Sequence, residues 1–168
     1  VIYLDREEKE IRKQRLKELI QQSQKKRLEE EYTNLASVYK EDYQDINSVE
    51  ILSEEESESI YDKLQDNYPL VSYGIGGIDW NLMKNKMEIT TSRQIQQFIN
   101  EQRYDNVKVY SLKKASGYPG TPPVLVTPIN NIIKSFNDLK YVEQILYCIE
   151  KKFVLEINFS GKILLGWK

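Results

Sequence analysis

Between Glu41 and Asp66 the chain carries ten carboxylates and a single ammonium, Lys63, a local charge of −9. Carboxylates at that density can bind metal ions, share protons as an acid–base pair, or attract a cationic surface. The spacing matches no known metal loop and no hydrolase pair. The chain contains no histidine, which removes Ser-His-Asp triads, Cys-His dyads, most zinc sites and the usual general base near neutral pH. The expectation is therefore a non-catalytic protein with no cofactor and no metal, whose acids steer a basic partner and repel nucleic acid.

The acids divide by position. Ser53 and Glu56 form the S-x-x-E pattern of a capping box, so a helix starts there and runs to about Asn67, burying Ile60, Tyr61 and Leu64. Glu54, Glu55 and Glu56 then sit at the positive end of the helix dipole, which explains them without any partner. Nothing comparable explains why the zone as a whole lacks bases. Glu54, Glu55, Glu56, Glu58, Asp62 and Asp66 are the candidate partner-binding residues, together with Asp79 and Tyr118 further along.

Two other segments could carry chemistry. Gly74-Ile75-Gly76-Gly77 resembles a phosphate loop only loosely, lacking both the G-x-G-x-x-G spacing and a following GK[ST]. A turn that brings Trp80 to the core is the better reading. Lys113 to Pro123 is rich in turn formers and holds two lysines and Tyr118, so it reads either as a binding loop or as a plain connector. Cys148, the one cysteine, lies in an apolar run and reads as a buried small hydrophobe. A disulfide-stapled secreted fold does not follow from it.

These groups need elements to hold them. Residues 1–40 read as helix, with no Gly or Pro. Leu28, Tyr32, Leu35 and Tyr39 share one face and suggest docking, whereas residues 21–27 are polar on every side, exposed or a break between two helices. Bases and acids nearly balance over residues 1–31, which favours a solvated, salt-bridged helix over a nucleic-acid arm. Helix is expected from Arg93 to about Arg103, strand over Val107–Leu112 and Val124–Val126, and helix over Ile129–Phe136 opened by Thr127 and Pro128. A further helix is expected from Asn137 or Asp138 to Glu150, followed by a hairpin, Lys152–Asn158 with Lys162–Trp167. The class is α+β: long N-terminal helical segments, then a small mixed sheet with helices on one face and a C-terminal β-hairpin. Residues 1–67 form a charge-rich helical region and 68–168 the body, whose basic excess is +5.

No apolar run approaches a bilayer span and the N-terminus lacks the order of a signal peptide, so a cytoplasmic location is expected. The first residue is Val, as in a trimmed chain or a piece of a longer one.

Residues 70–168 resemble the small cytoplasmic immunity proteins that accompany bacterial toxins, especially those of contact-dependent and related polymorphic toxin systems. The resemblance lies in Ile78-Asp79-Trp80, in Pro123–Thr127 leading into a helix, and in the close Phe153–Leu164. It implies a protein that plugs or distorts one toxin domain by direct contact, the partner being a basic toxin domain rather than a membrane, nucleic acid or small molecule. A structural or assembly domain with a helical arm is the alternative. A nucleic-acid module stacking bases on Trp80, Tyr110 and Tyr118 comes after it.

Overall fold

The computed structural model describes residues 5–71, 77–114 and 117–168. Helix α1 spans Arg6–Lys40 and α2 spans Glu54–Asn67, with the short strand β1 (Glu50–Ile51) between them. Then follow β2 (Asn85–Glu88), α3 (Ser92–Glu101), β3 (Lys108–Lys113), β4 (Leu125–Pro128) and α4 (Ile129–Leu139). Three strands end the chain: β5 (Gln144–Cys148), β6 (Phe153–Ile157) and β7 (Ile163–Trp167).

All seven strands join one sheet in the order β1-β4-β3-β5-β6-β7-β2, and every ladder is antiparallel. The α+β class, the long N-terminal helix and the C-terminal hairpin are as expected. The sheet is antiparallel rather than mixed, and helices cover both of its faces. Ile95, Phe98 and Ile99 of α3 and Ile129, Ile132 and Phe136 of α4 pack on one side with Leu146, Phe153 and Leu155. Ile60, Tyr61 and Leu64 of α2 pack on the other with Leu112, Ile145 and Val154. Each such side chain contributes about 1.5–3 kcal/mol on burial. Residues on both sides of position 67 thus feed the same sheet.

The largest departure lies at residues 144–148. The apolar run Ile145-Leu146-Tyr147-Cys148 is the central strand β5, not the end of a helix, and α4 continues three residues past Phe136. All five β5 residues are buried, because the sheet is covered on both faces. A strand buried that way loses the alternation that marks a strand in sequence and mimics a buried helix. Pro128 closes β4 and caps α4 itself, one residue later than the expected Thr127 cap.

Helix α1 is continuous through the polar stretch 21–27, which is exposed. Ile11, Leu16, Leu19 and Ile20 are exposed as well. Only the C-terminal third docks: Ala36 is buried, and Tyr32 donates to the Leu52 carbonyl at 2.6 Å and lies 2.9 Å from Ser57 Oγ. Ser57, fully buried, also accepts the Val124 N–H at 3.0 Å. One hydroxyl thereby ties α1, α2 and the approach to β4 together.

Candidate functional site

Helix α2 begins where the sequence places it. Ser53 Oγ accepts the Glu56 N–H at 3.1 Å, and Glu56 returns the bond to the Ser53 N–H at 3.2 Å. At 100° per residue, Ser57, Ile60, Tyr61 and Leu64 fall on the buried side, while Glu54, Glu58, Asp62 and Asp66 repeat every fourth residue on the exposed side. With Glu55 they make a carboxylate stripe roughly 120° wide and about 18 Å long. Glu56 lies off the stripe, occupied by the cap.

All six are exposed, and among the described residues none pairs with a lysine or arginine. Carboxylates four apart on a helix repel, costing about 0.2–0.5 kcal/mol per pair. Glu54 and Glu55 regain something from the helix N-terminus, but Asp62 and Asp66 lie toward the negative end, where the last turn holds no base. Folding alone does not account for these two. Among the described residues no group of acids is close enough to hold a metal ion, because successive carboxylates point outward.

The remaining candidates lie elsewhere. Asp79 is half-buried on a separate turn, where its Oδ1 accepts the Asn81 N–H at 3.2 Å and opens the 3-10 turn Trp80–Leu82. Tyr118, only 9% exposed, sits under the stripe: its hydroxyl lies 3.1 Å from Glu54 Oε2 and its ring meets Tyr32 edge-on at 5.8 Å. Little of the Tyr118 ring therefore reaches the surface. Burial and the neighbouring Glu54 push its hydroxyl pKa up to about 12, so it remains a neutral donor to that carboxylate. The adjoining Gly120 lies so near Glu54 that an added Cβ would collide with the carboxylate.

The loop's two lysines also turn inward. Lys113 ends β3 at 1% exposure, its ammonium 2.8 Å from Gln144 Oε1 and over the Tyr39 ring at 4.9 Å. Desolvation lowers its pKa to about 8, opposed by the charge of Asp42. Lys114 lies 3.4 Å from Glu156 on β6 and 4.0 Å from Glu143. Glu156, 6% exposed, also accepts the Ile78 N–H at 2.8 Å and Trp80 Nε1–H at 3.0 Å. Gly77, with φ of 103°, permits that approach, since a Cβ there would stand 3.1 Å from Glu156 Oε2. The rest of the glycine string, Gly74-Ile75-Gly76, lies outside the described residues. Trp80 packs on Gly166 of β7, as a turn bringing it to the core requires.

Sequence reasoning did not find the Glu156 cluster. The one available signal was a lone glutamate inside an apolar strand, Phe153-Val154-Leu155-Glu156-Ile157. It also missed a cleft of about 270 Å³ beside the stripe, where Glu58, Asp62 and Gln65 face Leu70 and Gly120–Pro122.

Residues 43–166, from the residue after Asp42 to Gly166 in β7, match the model of a toxin-immunity family of contact-dependent systems. The family is described as CdiI immunity protein EcoliA0-like, and the chain belongs to it. No curated protein matches the chain. The family match contains α2 and the sheet up to Gly166 in β7 but leaves α1 outside. No helix among the described residues is long and apolar enough to cross a membrane.

Proposed function

We propose that this chain neutralises a toxin domain in the cytoplasm by binding it directly, without catalysis, through the exposed carboxylates of α2. The observation that carries the reading is the stripe Glu54, Glu55, Glu58, Asp62 and Asp66: it repels itself, pairs with no cation among the described residues and lies inside the family match. Such a field favours a basic partner and accelerates encounter with it. Glu56 contributes charge from the cap, and Tyr118 acts from beneath by orienting Glu54. Asp79 supplies a further negative charge on a separate turn.

The test is to look for a toxin-like reading frame beside its gene and to co-express the chain with it. The wild-type chain relieves growth arrest and forms a one-to-one complex. Replacing the five stripe acids by Gln and Asn removes both effects while the variant remains folded by circular dichroism. Full protection by that variant would place the binding face elsewhere.

A further inference from the structure

The cleft beside α2 has a shape and chemistry that a bare row of acids lacks. One wall carries Glu58 and Asp62, one helical turn apart; the other is formed by Gly120–Pro122. Tyr61 and Leu70, with the Pro122 ring, give it an apolar lining. The Tyr61 hydroxyl is already committed to the Lys113 carbonyl at 2.8 Å, so its ring, not its polar end, is available there. Lys63 is on the far side of α2, and no base lines the space.

We infer that this cleft receives an arginine side chain of the partner. This rests on the acidic face of α2 being the toxin-binding surface. Its apolar lining matches the three methylenes of an arginine stem. A guanidinium has five N–H donors in a planar fork, enough to bridge two carboxylates at once, and it stacks on an aromatic ring. A lysine offers one compact ammonium, strongly hydrated, that satisfies one carboxylate and leaves the other unpaired. The volume of about 270 Å³ suits one such side chain and not a folded segment. The cleft therefore sets specificity, whereas the rest of the stripe supplies long-range attraction.

The experiment uses the ¹⁵N-labelled full chain titrated with blocked tripeptides carrying arginine, lysine or citrulline at the centre. Arginine is expected to produce saturable shifts at Glu58, Asp62, Gln65 and Thr121, with affinity at least about threefold above lysine, and citrulline to produce none. Glu58→Gln with Asp62→Asn abolishes those shifts, while Glu55→Gln with Asp66→Asn, outside the cleft, retains them. Equal strength for arginine and lysine, or shifts spread evenly along α2, overturns the cleft and leaves the acidic face intact. Failure of the face registers separately, as a toxin complex whose formation ignores salt and the five neutralising substitutions.

Discussion

Glu156 and Glu58 are the same residue type in opposite circumstances. Glu156 is enclosed between β6 and the Gly77–Trp80 turn, with two N–H donors and the Lys114 ammonium on its oxygens. Glu58 stands in water with like charges one turn away on either side. The first is charge used to hold the chain together. The second is charge the chain does nothing to balance, and the difference separates a structural carboxylate from one that awaits a partner. Substitutions at the two places should have opposite signs on stability.

The largest effect belongs to Glu156→Leu. It leaves the Lys114 ammonium with only the more distant Glu143 carboxylate and the Ile78 and Trp80 N–H groups without their acceptor. A loss of about 3–5 kcal/mol is expected from urea unfolding. A loss under about 1 kcal/mol would erase the contrast.

Gly77→Ala follows, at roughly 1–3 kcal/mol, because alanine is strained at positive φ and its methyl would press on the Glu156 carboxylate. The same unfolding curves measure it.

Lys113 tests the inward class through pH. Its folded pKa is about 8 against an ordinary 10.5, so between those values the unfolded chain binds the proton that the folded chain has released. Stability therefore gains a positive contribution as pH rises through that window. Cys148, whose thiol is pushed up by burial, opposes it, as do Tyr43, Tyr61 and Tyr68, each raised by desolvation. The informative quantity is the difference from Lys113→Met. Wild type should gain on that variant between pH 8 and 10, and a constant difference would mean Lys113 does not titrate there.

The smallest effect lies on the stripe. Glu58→Gln, Asp62→Asn and Asp66→Asn together remove the three repulsive pairs that lie four residues apart, counting that of Glu58 with Glu54, and should stabilise α2 by about 0.5–1.5 kcal/mol. Thermal melting at low salt is the readout, and destabilisation would mean these acids have internal partners after all.

What could be read from residues alone follows the same division. The start of α2, its end at Asn67, its buried Ile60, Tyr61 and Leu64 and its exposed acids were legible, because capping and 3.6-residue periodicity are local, whereas the burial of Ser57 was not. The hairpin of β6 and β7 was legible from the break at Phe159–Gly161 between two apolar runs. The identity of β5 was not, since a strand covered on both faces depends on neighbours distant in the chain. Nor were the inward turns of Lys113, Lys114 and Tyr118. A lysine in a turn-rich segment reads as exposed, and only the sheet's assembly brings Gln144 and Glu156 to meet it.

The most direct measurement is the association rate of the partner toxin domain with the wild-type chain and with the variant lacking all five stripe carboxylates, from about 50 to 500 mM salt. The wild-type rate should fall by about tenfold or more across that range, and the variant should start low and remain flat. Equal rates with equal salt dependence in both proteins would contradict the assignment of α2 as the binding face.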